Sequence, residues 1–271
     1  MKSNTYIIRC ISNLHVGGEG ENYGAIDKLV QRDTATKFPT IHGSGIKGAL
    51  REQCKSAAYE EAVFGGDPKK NEHKAGTYNF HDALLLALPV RSNVQPYFMA
   101  TSKSLIMQFV NHCELFHTGS TEEAYIPKDL ITAISSLLKN TSSDCSVFNQ
   151  GNYDNIILED WVAKNEVVAF SNEEKEALKK VFGENIAILS HAKLQELSEN
   201  LPVIARNYLE NGKSENLWYE EVVPRETRFY TMIQRKEKDI KKEFDDKLSE
   251  GIKQLGAHAT IGYGQTKFTK L

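Results

Sequence analysis

Hydrophobic and polar positions change period several times along the 271 residues. Residues 5–11, TYIIRCI, are β-branched and aromatic and predict a strand, which the glycine-rich segment starting near His15 breaks. After FPTIHGSG the spacing becomes helical: Ile46, Leu50, Cys54, Ala57, Ala58 and Phe64 predict one helix, ended by Gly65 and Gly66. Residues 75–91, AGTYNFHDALLLALPVR, predict a strand pair or one long bent strand, and TSKSLIMQFVNHCELF a helix opened by Thr101 or Ser102. The stretch from approximately 117 to 170 is less regular and reads as an insertion, with a short helix in KDLITAISSLL, a polar run KNTSSDCS and the strand-like NIILED. Residues 172–200 predict helix, Glu173 and Glu174 facing the positive end of its dipole. Approximately 201–233 predict an extended hairpin, because strand-like runs flank an Asn-Gly pair in the polar tip ENGKSEN. A helix with a mixed charged face, QRKEKDIKKEFDDKLSEGIKQLG, and a strand, IGYGQTKF, close the chain. No internal repeat appears, and 271 residues leave room for one large domain or a core domain with an insertion.

Composition narrows the classes. The chain is 40% apolar, enough to bury a core, yet no run approaches the roughly 20 apolar residues of a membrane helix. Its opening MKSNTYIIRCIS is too short in apolar run, and too interrupted by Arg9, for a secretory leader, so a cytoplasmic location is expected. Cys10, Cys54, Cys113 and Cys145 are scattered without zinc spacing and read as free buried thiols. A net charge of -3 decides nothing about nucleic acid, which needs only a local basic surface.

Candidate chemistry gathers in three glycine-bearing loops, VGGEGENYG, HGSGIKG and LGAHATIGYG, where bare backbone can approach a phosphate. The second leads into a helix with Lys47 and Arg51 at i and i+4, a cationic face at a helix N-terminus; an ordinary surface Lys/Arg pair is the alternative. The order of a nucleotide P-loop is missing. Asp27 stands between an isoleucine and Lys28, as an acid at a surface or as a turn residue bonding its own backbone. Trp218, Tyr219, Phe229 and Tyr230 suit either stacking on bases or core packing, while His81 and Asp82, in a strand context, suit packing and local hydrogen bonds.

Taken together, NLHVGGEGENYGAIDKLVQRD, FPTIHGSGIKGALR, VFGG, AGTYNFHDALLLALPVRS, NLWYEEVVPRET and LGAHATIGYG run end to end in the order of a known family. They resemble the Cmr4 family of RAMP-superfamily proteins, backbone subunits of type III-B CRISPR effector complexes. PVRS and NLWYEE favour it over the type III-A counterpart, the Csm3 family. Departures fall at His42 and Gly45, where the family usually has proline and serine, and at Ala257 and His258, where it has a fuller glycine pair with aspartate.

The resemblance implies a single α+β domain over residues 1–271, a modified ferredoxin-like (RRM-like) palm with a β-hairpin thumb and helical insertions. It implies copies assembled head to tail as a helical filament along CRISPR RNA, with other Cmr subunits, each thumb wedged between guide and a single-stranded target RNA. The target is then cut once per subunit, at regular intervals. The aspartate of the I-D loop, here Asp27, is the implied cleaving residue; a scaffold that binds guide without cutting is the alternative. Aspartate is poorly matched as a general base at neutral pH, so Asp27 is expected to hold a divalent ion, Mg2+ or Mn2+, that promotes attack by the target's own 2′-OH. His15 is a candidate acid or base and Glu220 matches an acidic family position. Lys28, Arg32, Gly43, Ser44, Lys47, Arg51, Gly262 and Gly264 are expected to contact RNA.

Overall fold

Strand β1 (Lys2–Cys10) is buried on both faces at its middle, where Tyr6, Ile7 and Ile8 follow one another without alternation, while Ser3, Asn4 and Thr5 before them are buried polar residues. Tyr6, Ile8 and Cys10 enter one core and Ile7 the other. The chain, described by a computed structural model over residues 1–18, 24–66, 74–117, 126–151, 153 and 155–271, continues through β2 (Thr40–Ile41), α1 (Gly43–Gln53), α2 (Glu60–Phe64), β3 (Asn79–Phe80), β4 (Ala83–Val90), β5 (Phe98–Ser102) and α3 (Lys103–His117). Then come α4 (Lys128–Asn140), β6 (Cys145–Phe148), β7 (Ile157–Leu158), β8 (Trp161–Val162), β9 (Lys164–Glu166), α5 (Asn172–Phe182), β10 (Ile186–Leu189) and α6 (His191–Glu199). Last are β11 (Val203–Glu210), β12 (Lys213–Glu221), β13 (Arg228–Arg235), α7 (Lys242–Ser249), β14 (Lys253–Gln254) and β15 (Gln265–Lys270). Residues 19–23 of the first glycine loop lie outside the described residues.

The centre of the sheet runs β15-β1-β13-β4, antiparallel throughout. Two β-α-β units, β1-α1-β4 and β13-α7-β15, interleave to give that order, which is the expected ferredoxin-like arrangement. Beyond β4 the sheet continues through β5, β10, β6 and β9. Ile46 and Leu50 of α1 and Phe244 and Leu248 of α7 seal one face; Ile106 and Phe109 of α3, Leu130 of α4 and Phe182 of α5 seal the other. Each such side chain contributes about 1.5–3 kcal/mol by leaving water. Phe229 and Tyr230 are fully inside these cores, so of their two readings packing is the one realised.

Several element boundaries differ from the pattern. The helix expected from Ile46 to Phe64 is two, interrupted after Cys54 where Ser56 turns to φ 65°. Residues 172–200 are two helices around β10, a strand buried on both faces, because Gly183 and Asn185 take positive φ and Ser190 caps a new helix. The stretch 117–170 supplies a full helix, α4, and two strands of the large sheet. The hairpin expected over 201–233 closes at Glu221, and Arg228–Arg235 returns to the centre of the sheet. Its turn is Asn211-Gly212, both at positive φ as a two-residue type I′ connection requires. Among the described residues no helix is long and apolar enough to cross a membrane, and the four cysteines are free and buried.

Candidate nucleic-acid interface

A two-stranded hairpin is marginal by itself in water, so the β11–β12 arm depends on how its base is fastened. The Asp27 loop fastens it. Asp27 N and Lys28 N donate to Tyr219 O at 3.0 and 3.1 Å, and Glu221 N donates to Lys28 O at 2.9 Å. The Asp27 carboxylate accepts from Tyr219 N at 2.7 Å through Oδ2, leaving Oδ1 without a hydrogen-bond partner among the described residues. Asp27 is exposed, and the backbone it bonds is that of the hairpin, not its own as the turn reading had it.

One register position further on, Glu220 is completely buried and surrounded by donors. Lys28 Nζ lies 2.9 Å and Trp218 Nε1 2.7 Å from Oε1; His258 Nε2 lies 2.8 Å and Arg206 Nε 3.2 Å from Oε2. Arg206, Trp218 and Glu220 share one face of the hairpin because Arg206 pairs with Trp218 and Ile204 with Glu220. Burial alone would raise the carboxyl's pKa; Lys28, Trp218, His258 and Arg206 more than reverse that and hold it at about 2. Glu220 is therefore an ionised anchor for three basic side chains, a different task from taking a proton. The Arg206 guanidinium also lies over the Tyr263 ring, 4.5 Å from its centroid.

The three glycine-bearing loops converge on this base. Ala257 N donates to His15 O, Gly264 N to Asn13 O, and His42 N to Gln31 Oε1, which ties the start of α1 to the Asp27 loop. His15 itself is 3% exposed, its Nδ1 2.7 Å from Glu221 O, so it fixes the hairpin base from beneath instead of facing solvent. Arg32 is likewise committed: it bonds Lys37 O, Ser198 O and the Glu221 carboxylate, whose other oxygen accepts from Val30 N. Arg51 bonds Glu60 and Gly66 O. Gly262 N donates to Ala259 O, and Gly43 N to Asp82 Oδ1, so these expected phosphate donors are used within the fold. Asp82 thus makes the local hydrogen bond its context predicted. Gly43 must be glycine, since a Cβ would lie 2.3 Å from Phe80 O. On the outer face of α1, Ser44 is exposed, Lys47 is partly exposed with no ion-pair partner among the described residues, and a Cβ at Gly45 or Gly48 would meet nothing within 4 Å. Of the expected RNA contacts, Lys28, Ser44 and Lys47 remain open to solvent; Trp218, His258 of the third glycine loop and Arg206, which no motif marked, gather beside Lys28 on the Glu220 carboxylate.

Among the described residues no three His, Cys, Asp or Glu side chains gather as a metal-binding group. Among the described residues here, Asp27 offers an exposed carboxylate oxygen that could meet a hard divalent ion such as Mg2+. A cleft of about 600 Å³ lined by Leu88, Tyr97, Trp161, Leu197 and Arg225 contains none of these residues. The candidate residues lie instead on the loops around the hairpin base, where Asp27 and Ser44 are exposed.

Comparison with known proteins agrees with the geometry. The RAMP superfamily model matches residues 7–267. CRISPR system Cmr endoribonuclease Cmr4 of Pyrococcus furiosus is 33% identical over 282 aligned positions, covering 93% of this chain and 90% of that protein. Among solved structures, a type III-B Cmr-beta complex bound to cognate target RNA contains a chain with a TM-score of 0.80 at 23% identity, covering 100% of this chain and 97% of that one. Oligomeric Cmr4 from Pyrococcus furiosus gives a TM-score of 0.68 at 24% identity, covering 100% and 98%.

Proposed function

The chain belongs to the RAMP superfamily, alongside its Cmr4 members, and from that premise we propose that it is the guide-binding backbone subunit of a type III-B CRISPR interference complex and cuts complementary target RNA at regular intervals. The observation that carries this reading is the exposed Asp27 carboxylate bonded to Tyr219 N at the root of a projecting hairpin. An acid held there travels with the hairpin. If the arm separates guide from target, with exposed Leu217 and Tyr219 against bases, each copy presents one carboxylate to one phosphodiester. Copies repeated head to tail along the guide then set the spacing of the cuts.

Specificity comes from base pairing, and the protein reads backbone and shape. Lys28, half-exposed and held by Glu220, supplies positive charge beside Asp27; Ser44 and Lys47 supply donors along α1. A Mg2+ or Mn2+ ion held jointly by Asp27 and phosphate would supply charge neutralisation at the phosphoryl oxygens and favour ionisation of the 2′-OH. Cutting by that hydroxyl leaves a cyclic phosphate and a 5′-OH.

The test is Asp27→Asn in the assembled complex with complementary RNA, with and without divalent ion. Asparagine keeps an acceptor for Tyr219 N, so the hairpin stays fastened and RNA affinity is expected to hold. Cleavage is expected to fall at least about a hundredfold, the scale of losing one group that manages charge at a reacting centre. Evenly spaced cuts at an unchanged rate would mean that the chain is a scaffold at this position.

A further inference from the structure

Glu220 has two carboxylate oxygens and divides them between two kinds of cation. Oε1 holds Lys28, whose neighbour is Asp27, and Oε2 holds His258 Nε2 at 2.8 Å. His258 therefore stands one buried carboxylate away from the Asp27 loop. Its backbone is left-handed, φ 64° and ψ 33°, a conformation that a residue with a Cβ adopts reluctantly and that the same loop assigns to glycine at Gly256, Gly262 and Gly264. Its ring is a quarter exposed, with His15 5.8 Å away and Tyr263 6.2 Å away, centroid to centroid. Since the Glu220 carboxylate accepts, Nε2 is the nitrogen that donates, and Nδ1 is the ring's other polar atom.

We propose that His258 is the general acid of the cleavage, with Glu220 as the residue that orients it; this rests on the function proposed above. In the step, the O2′–P bond forms and the P–O5′ bond breaks. The 2′-OH proton leaves to solvent, and imidazolium Nδ1 gives its proton to O5′, so the leaving group departs as a 5′-OH; water then restores the proton to Nδ1. The charged and titratable groups around it are Glu220, with Lys28 and Arg206 beyond that carboxylate, His15 on one side and Tyr263 on the other. Catalysis by such a donor is worth about a hundredfold or more.

The experiment compares wild type, His258→Asn and Asp27→Asn in the assembled complex. Each is given ordinary target RNA and a target whose scissile O5′ is replaced by sulfur, a leaving group that needs no proton. Asparagine is tolerated at positive φ, and RNA affinity checks that the loop is intact. His258→Asn is expected to cut ordinary RNA about a hundredfold more slowly, to lose the alkaline limb of the pH–rate profile, and to recover on the sulfur substrate, whereas Asp27→Asn stays slow on both. Wild-type rates for His258→Asn on ordinary RNA overturn the assignment. An equal loss on both substrates also overturns it, making His258 a positioning residue only. A complex that fails to cut with wild-type subunits, or that cuts normally with Asp27→Asn, overturns the functional reading beneath it and the assignment with it.

Discussion

Glu220→Gln isolates the electrostatic part of the hairpin anchor, because glutamine keeps the shape and loses the charge. In the folded protein the carboxyl sits at about 2 against an ordinary 4.5. At about 1.4 kcal/mol per pH unit, that gap is worth roughly 3 kcal/mol of folding stability at neutral pH, in line with the roughly 3–5 kcal/mol of breaking a buried ion pair. The sign follows from a depressed carboxyl. Its contribution is complete above the unfolded value near 4.5 and disappears as pH falls through the folded value near 2. Urea unfolding of both proteins across pH measures it. The variant is expected to be less stable by roughly 3 kcal/mol at pH 5, and the gap is expected to narrow by roughly 1 kcal/mol by pH 3.5. Arg206 makes the loss harder to absorb, since its buried Nη2 already has no hydrogen-bond partner among the described residues. Equal midpoints at pH 5, or a gap that does not shrink in acid, would refute the argument that Lys28, Arg206 and His258 are held by charge.

Lys47→Ala is expected to reduce the slope of log RNA affinity against log salt by roughly 0.7, the loss of one contact to a single strand, whereas Arg51→Ala leaves that slope unchanged and costs about 1 kcal/mol of stability through Glu60. Filter binding over a salt series separates the two. Gly43→Ala is expected to destabilise by about 2–3 kcal/mol, since its Cβ would meet the backbone oxygen of Phe80, while Gly45→Ala, with open space around it, is expected to be neutral or slightly stabilising; urea midpoints decide.

Where neighbours in sequence are neighbours in space, the pattern was legible. The Asn211-Gly212 turn and the acidic first turn of α5 are set by residues a few positions apart, and the strand character of β1 by its own β-branched and aromatic residues. Gly183 and Asn185 also signalled the break before β10, but a helical run on either side masked it. Of the side chains gathered at the hairpin base, Asp27, Lys28, Trp218 and Glu220 stand out in the sequence itself. Arg32 looked like a phosphate ligand because its partner, Glu221, is 189 residues away, and Arg206 and His258 were invisible because only the folded chain brings them to Glu220. His15 is in the expected place with its ring turned inward, a fact that depends on the backbone of Glu221.

In sheet-based RNA readers one face of the sheet is left bare for bases; here α3, α4 and α5 close it. Inheritance is thereby split along the chain. A change in β1 or β13 bears on whether the two cores still close. On the proposed function, a change on the exposed side of the hairpin base, at Asp27 or Lys47, bears on RNA and leaves both cores as they are.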